Sequence, residues 1–452
     1  MSIKRIAVGL ICCVGSLCPI MAQTADAKEL SLKESLTMGL EFNSDVRKAK
    51  MDIDAAAAQR KEITASGLPQ ISGYGNYNNF VNVFPQAIPG GLFGPDEGIT
   101  VVGFGIPQSI QAGFQGSQLL FNQSYIVGLK AARTSTEFYD LLAAQTEDNV
   151  LMEIAQAHYI AYEMQLQLTT LDAQLERLQQ LETTTKAQYE NDLIQKLDYN
   201  RVTVNRTSLE SQRRDLEIAL SYQYNYLKLL IGMPLENQIE IQDENLSPDL
   251  LPTLAIDDLD NDLSHRADLR VLEKQQELNE LSIDNIQSGY YPSLSLIADY
   301  NVNAFSESFD FLTDAKRWHP GFLVGLRLSI PIIDGGTKRH QVSQARISQK
   351  KTAEDYTLAT KAANMELQYA TEKLTSSIEM ARVQESNMVL AEEVFTQTEM
   401  LYDEGLSPLT DLFNAESALR EAKNQYHAQI IKARTARLEV LKSKGTIKSI
   451  LN

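Results

Sequence analysis

Two stretches late in the chain alternate between apolar and polar residues with a period of two. In the first, Leu294, Leu296, Ala298, Tyr300 and Val302 share one face and Ser295, Asp299, Asn301 and Asn303 the other, with Ile297 as the single misfit. In the second, Phe322, Val324, Leu326, Leu328 and Ile330 oppose Gly325, Arg327 and Ser329. A period of two predicts strands with one face away from water. Nearer the start, Ile110, Ala112 and Phe114 alternate with Ser109, Gln111, Gly113 and Gln115, and a stretch rich in Tyr, Asn and Gly follows Pro69. The predicted strands cover about 70–84, 101–121, 292–305 and 321–333. Four strands of this length suit an outer-membrane barrel or a water-soluble antiparallel sheet with one wet face; the strands alone do not separate the two.

Between the strands the period changes. From Leu129 to Ile231 there are 103 residues without Gly or Pro, and from Thr337 to Glu404 another 68. Ordinary helices average about 11 to 12 residues. Heptad-like spacing runs through both stretches: Leu168, Leu171, Leu175 and Leu178; Leu209, Leu216, Leu220, Leu227 and Leu230; Val383, Leu390, Val394 and Leu401. These rows predict coiled-coil seams. The first run must fold back near Asn191 and Asp192, because its counterpart is interrupted by Glu404-Gly405-Leu-Ser-Pro408. Gly readily takes the left-handed conformation a tight helix end wants, and Asn or Asp is the usual substitute. Two helical hairpins result, 122–231 and 334–444. A helix from Asn122 to Glu190 would be about 100 Å long, against about 30 Å for a bilayer core, and its charged surface places it in water.

The two halves are copies. Asn43-Ser-Asp45-Val-Arg47 recurs as Arg266-Ala-Asp268-Leu-Arg270, and Leu68-Pro69 as Tyr291-Pro292, both 223 residues later. Leu120-Phe121-Asn122 recurs as Ile332-Ile333-Asp334 after 212, and Tyr189 to Asp198 as Tyr402 to Asp411 after 213. The extra residues of the first copy fall where Pro85, Pro89, Gly90, Gly91, Gly94, Pro95 and Gly98 cluster, which is loop chemistry. The repeats span 28–234 and 263–452, joined by an acidic linker at 235–262.

Composition narrows the function. Lys4 and Arg5, the apolar run Ile6–Leu17 and small residues near Ala22 and Ala25-Asp26-Ala27 predict a signal peptide over 1–22, with cleavage between 22 and 27. All three cysteines, Cys12, Cys13 and Cys18, lie inside it, so disulfides and thiolate metal sites are not expected. The formal charge of -18 becomes -20 once Lys4 and Arg5 are removed, which disfavours nucleic acid as a partner. The histidines His158, His265, His319, His340 and His427 lack ligand spacing, and no nucleophile, metalloprotease or nucleotide fingerprint appears. No enzyme activity, cofactor or metal is expected.

Four strands cannot close a barrel, and lipid does not tolerate an open sheet edge. Three chains would contribute 12 strands, an even number within the known range. Arg327 must then face the lumen, because Arg on the lipid face near mid-bilayer costs about 2–4 kcal/mol.

Four passages in order resemble the TolC family of outer-membrane efflux proteins: Arg266-Ala-Asp268-Leu-Arg270, Ser329-Ile-Pro331-Ile-Ile-Asp334-Gly335-Gly336, Leu230-Ile-Gly232-Met-Pro234, and Gly405 to Ala415. The resemblance implies an α+β membrane fold, with a trimeric 12-stranded β-barrel on a 12-helix α-barrel. It also implies an exit duct for tripartite efflux or type I secretion, joined to a periplasmic adaptor (membrane fusion protein) and an inner-membrane RND or ABC pump. Family positions fall on Asp192, Leu193, Gly405, Leu406 and Ser407 for adaptor contact and on Asp411 and Asn414 for the pore constriction. They fall on Tyr402 and Asp198 for a link that closes the gate, while an Arg of a second link falls on Ser407. The competing reading is a non-channel periplasmic coiled-coil adaptor or scaffold, which predicts one hairpin and strand-rich soluble domains.

Overall fold

The computed structural model describes residues 28–89, 99–103, 105–242, 262–311 and 318–451. The signal-peptide residues and most of the expected linker, 243–261, lie outside them.

The chain begins with β1 (Lys28–Leu30), α1 (Leu32–Phe42) and α2 (Ser44–Ser66), then β2 (Gln70–Asn79), β3 (Pro85–Pro89), β4 (Ile99–Gly103) and β5 (Gln108–Asn122). The first hairpin is α3 (Gln123–Glu190) and α4 (Lys196–Leu230), followed by β6 (Ile239–Ile241). The second copy has α5 (Ala267–Ser288), β7 (Ser293–Ser306), β8 (Trp318–Ser329), α6 (Thr337–Asp403) and α7 (Leu409–Ser443). A 3-10 turn at Ile447–Leu451 ends the described chain.

β2, β5, β7 and β8 form one antiparallel sheet in that order. The two copies are therefore joined edge to edge by β5 and β7, and β2 and β8 are left as free edges. The structure corrects the expected strand bounds. The expected strand over 70–84 stops at Asn79, and the one over 101–121 begins at Gln108 and ends at Asn122. Pro85–Pro89 pairs instead with Ile99–Gly103 as a separate ribbon. Proline lacks a ladder donor, Gly105 has φ 144°, and the Phe80 N–H donates to Pro107 O at 2.7 Å, which closes the main ladder below the ribbon. The strand expected to reach 333 ends at Ser329, because Ser329 already faces Ser293, the first residue of β7. Trp318 starts β8 and donates through Nε1 to Phe311 O at 3.0 Å, beside the edge-to-face rings of Tyr77, Phe309 and Phe311.

The α3 helix runs 68 residues and α6 67 residues without interruption. Asn122 caps α3 by accepting from the Tyr125 N–H at 3.1 Å, and Asp334 accepts from the Lys338 N–H at 3.1 Å at the start of α6. The seams at Leu171, Leu175, Leu178 and Leu209 are buried as expected. The row Val383, Leu390, Val394 and Leu401 is not: each is 45 to 60% exposed. The buried face of α6 runs instead through Leu367, Ala370, Leu374, Ile378 and Ala381, against Tyr426, Ile430 and Ala433 of α7. The exposed row lies outside that buried seam.

The repeat is exact enough to duplicate single contacts. Asn43 Nδ2 donates to Leu230 O at 2.8 Å, and its counterpart Arg266 donates through Nη1 to Ser443 O at 3.4 Å. Gly232 (φ 69°) lies against Phe42, and Gly445 (φ 72°) against His265 and Arg266, so close that a Cβ on either would sit 2.6 Å from those residues. Each returning helix thus ends in a glycine seated on the residues just before α2 or α5.

The main core lies at mid-height. Leu36, Leu151, Ile154, Tyr162, Leu227, Ile231, Ile241 and Ile447 bring together α1, the middle of α3, the end of α4, β6 and the 3-10 turn. His158 is fully buried there, with Nδ1 3.2 Å from Ser35 Oγ. Burial first, and the Arg434 charge second, lower its pKa from 6.5 to about 4. The folded state therefore holds His158 neutral, so its contribution is complete above pH 6.5 and is lost as pH falls toward about 4. At the low end the loss approaches about 3 kcal/mol. Denaturant midpoints between pH 7 and pH 4 should fall less steeply in His158→Gln than in the wild type; equal slopes would show that His158 is not the titrating group.

Candidate functional site

The sheet has two chemically distinct faces. Register places Phe114, Tyr300 and Phe322 in one row, with Leu296 beside Leu326 and Leu294 beside Leu328. Phe114, Phe322, Leu326 and Leu328 are 60 to 73% exposed, so this is a continuous apolar surface facing away from any protein core. A patch of that kind marks a lipid or protein interface. The other face carries Ser72, Tyr74, Asn76, Gln111, Gln115, Asp299, Asn301, Asn303 and Arg327 by the same register. Tyr74 reaches over β5 and donates to Asp299 at 3.1 Å, and Asn303 donates to Asn301 at 2.6 Å. Ile297, the misfit of the sequence pattern, lies on this face between the small Ser117 and Gly325, whose missing side chain leaves it room. Strand lengths of 10, 15, 14 and 12 residues are enough to supply the about 9–11 tilted residues that cross a bilayer core.

At the far end both hairpins turn by the same hydrogen bonds. The Leu193 N–H donates to Gln188 O, and the Leu406 N–H to Leu401 O, both at 2.8 Å; the Asp192 and Gly405 N–H groups donate to Tyr189 O and Tyr402 O. Asp192 takes φ 57° and Gly405 φ 74°, so the aspartate adopts the left-handed conformation that glycine supplies in the other copy. Leu193 and Leu406 stand at matching places on the two turns and are 74% and 71% exposed. Ser407 is half-buried, its N–H donating to Leu401 O at 3.2 Å.

Asp411 lies in the first turn of α7. It and Asn414, one turn on, are exposed on one face, while Leu412 and Ala415 are buried on the other. Tyr402 comes under the influence of Asp198: burial chiefly, then the Asp198 and Asp403 charges, raises its hydroxyl pKa. The ion pair of Asp198 runs to Arg201 at 3.3 Å.

Sequence reasoning missed the polar seam between the hairpins. Glu416 is 4% exposed among Leu412, Ala415 and Leu419, and pairs with Arg177 Nε at 3.3 Å. Burial raises its pKa against the opposing charges and hydrogen bonds of Arg177, Gln174 and Arg420. Arg420 donates to Gln174 at 3.1 Å, and Arg177 also lies over the Phe395 ring. The available signal was an acid on the apolar stripe of α7. Among the described residues no helix is long and apolar enough to cross a membrane and no metal-ligand cluster occurs.

Comparison with known proteins agrees with this geometry. Residues 259–444 match the family model for outer membrane efflux protein. The chain is 20% identical to outer membrane protein TolC of Vibrio cholerae serotype O1 over 334 residues, 72% of this chain and 76% of that one. It is 23% identical to outer membrane protein TolC of Salmonella enteritidis over 404 residues, 85% and 75% of the two chains. Its fold superposes on the Campylobacter jejuni CmeC outer membrane channel with a TM-score of 0.70, covering 92% of this chain and 86% of that one at 15% identity. Over residues 259–444 the chain thus matches the outer membrane efflux protein family, and over most of its length it is similar to TolC proteins.

Proposed function

We propose that this protein is the outer-membrane exit duct of an efflux or type I secretion system. The observation that carries the reading is a four-stranded sheet, apolar on one face and polar on the other, set on two helical hairpins whose 68- and 67-residue helices are too long and too charged to sit in lipid. The sheet lies in the outer membrane and the hairpins project into the periplasm. Three copies close 12 strands into a barrel and 12 helices into a tube, through which substrates move passively. The repeats at 28–234 and 263–452 are the two halves of each wall segment, joined in sequence by the linker at 235–262.

In this reading the exposed Leu193 and Leu406, with Asp192, Gly405 and Ser407, form knobs for a periplasmic adaptor that joins the duct to an inner-membrane pump of the RND or ABC type. The adaptor-like alternative fits less well, because the chain carries two hairpins and a sheet with an exposed apolar face. Asp411 forms a ring of three carboxylates at the tip, which repel one another and attract cations. Asn414 leaves the next ring neutral, so the narrowing is held by a single charged ring. Tyr402 and Asp198 hold neighbouring hairpins together at the closed end, without a second link at Ser407.

Outer-membrane fractions should contain an oligomer that collapses to monomer on boiling before gel electrophoresis, and the purified oligomer should conduct in planar bilayers. A monomeric protein in the soluble fraction that gives no channels would contradict the duct. Removing the tip link in Asp198→Ala should raise single-channel conductance and open probability; unchanged conductance and drug sensitivity would reject that role for the pair.

A further inference from the structure

Where the second copy passes from sheet to helix, a cavity of about 620 Å³ opens between α5 and α6. Tyr290 and Tyr291 line it from just before β7, and Arg339, Val342 and Arg346 from the first turns of α6. Gln287 and Ser343 complete the wall with neutral hydrogen-bonding groups, so the lining holds two arginines and no acid, in a chain of formal charge -18. Among the described residues neither Arg339 nor Arg346 has a hydrogen-bond or ion-pair partner. The neighbouring Lys338 is engaged: its Nζ lies 3.2 Å from Asp334 and 5.3 Å from the centre of the Tyr290 ring. We infer that this cavity binds the phosphate-bearing headgroup of an anionic glycerophospholipid in the periplasmic leaflet of the outer membrane. The inference rests on the duct reading, which supplies the membrane, and adds the lipid class and the residues that select it.

The cavity stands at headgroup level. The apolar face of β8 continues past Ser329 through Ile330, Ile332 and Ile333, all exposed, and α6 begins at Thr337. Arg339 is therefore in the first helical turn below the last apolar residues, where the hydrocarbon ends and a headgroup layer about 5 to 7 Å deep begins. Arg346 is two turns on, about 10 Å down the axis. Side chains on a helix tilt toward its N-terminus, which for α6 is the membrane end, so both arginines lean toward the bilayer. A long arginine stem that lies along the surface with its head raised covers most of the remaining drop for Arg346.

The repeat shows which way the cavity faces. The counterparts of Tyr291, Arg339, Val342 and Arg346 in copy one are Leu68, Ile126, Leu129 and Arg133. There α3 is packed on both sides, by α2 and α5, yet Ile126 stays 41% exposed and Leu68 57%. Neighbours on either side thus leave this face of the long helix open. The lumen face of the sheet is polar along its register, so exposed Leu and Ile at the foot of the sheet belong to the lipid side. The matching face of α6, with its arginines, is turned the same way.

The chemistry selects an anion that carries carbon. A guanidinium pairs with phosphate oxygens through two parallel N–H donors, and two such groups without a counter-charge favour a headgroup of net negative charge. A zwitterionic headgroup would bring its own cation to the two arginines. The exposed rings of Tyr290 and Tyr291 suit a boundary where one side is apolar and the other wet, and Val342 gives the glycerol and first acyl carbons an apolar contact.

Native mass spectrometry of the purified oligomer in nonionic detergent, titrated with phosphatidylglycerol, tests the site. Saturable retention of up to one lipid per chain is expected, with phosphatidylcholine of the same acyl chains held about tenfold more weakly or worse. Arg339→Gln combined with Arg346→Gln should weaken phosphatidylglycerol by about tenfold or more while the heat-sensitive oligomer persists. Lys350→Gln with Lys351→Gln removes the same charge one turn further down α6 and should bind as the wild type does. Inorganic phosphate at millimolar concentration should leave the lipid in place. Equal retention of both lipids, an unaffected arginine variant, an equal loss in the lysine variant, or displacement by inorganic phosphate, each with the oligomer intact, overturns the lipid site and leaves the duct standing. An unboiled sample that runs as monomer and gives no channels overturns the duct reading itself.

Discussion

The structure depends on one requirement: backbone N–H and C=O groups inside a bilayer must be paired within protein, because no water is available to them. Helices meet the requirement alone, yet no helix among the described residues is apolar enough to enter lipid. The crossing therefore falls to the sheet, whose β2 and β8 edges are free. Closing those edges with further copies follows from the same requirement, and the tandem repeat supplies edges that match. The alternation of the strands follows too, since each lipid-facing position must be apolar while its neighbour in sequence faces water.

Below the membrane the constraint is different. The helices stand in water and are held together by packing, so they need apolar seams rather than apolar surfaces. Small residues such as Ala370, Ala381, Ala433 and Ala436 let α6 and α7 approach closely. The equatorial core around Ile154, Tyr162 and Ile231 fastens the hairpins to the strand-bearing half and fixes where each tip lies relative to the sheet. At the tips, packing gives way to charge: Asp192, Asp198, Asp403 and Asp411 gather where the two hairpins end. Glu416 and Arg177 tie the hairpins to each other just above.

Much of this was legible in the sequence, and the reasons are particular. The β7 and β8 patterns were clear because both lie in a two-faced environment along their whole length. The turns at Asp192 and Gly405 were legible through the repeat, since one copy exposes the glycine that the other replaces. The ribbon of β3 and β4 was not, because short strands bounded by Pro85, Pro89 and Gly105 carry loop chemistry in every local respect. The row from Val383 to Leu401 has coiled-coil spacing yet is exposed, because spacing reveals that a face is apolar without saying which chain covers it. Glu416 was hidden for the opposite reason: its partner Arg177 lies 239 residues away and no local pattern joins them.

The central claim is that the sheet spans a membrane with Leu326 toward lipid and Arg327 toward the pore. Spin labels placed singly from 322 to 328 in the outer-membrane-embedded protein test it most directly, through accessibility to oxygen and to a water-soluble relaxing agent. The account predicts lipid-like accessibility at 322, 324, 326 and 328 and water-like accessibility at 325 and 327. Inverted alternation, with 327 in lipid and 326 in water, or uniform water accessibility at all of these positions, would contradict it.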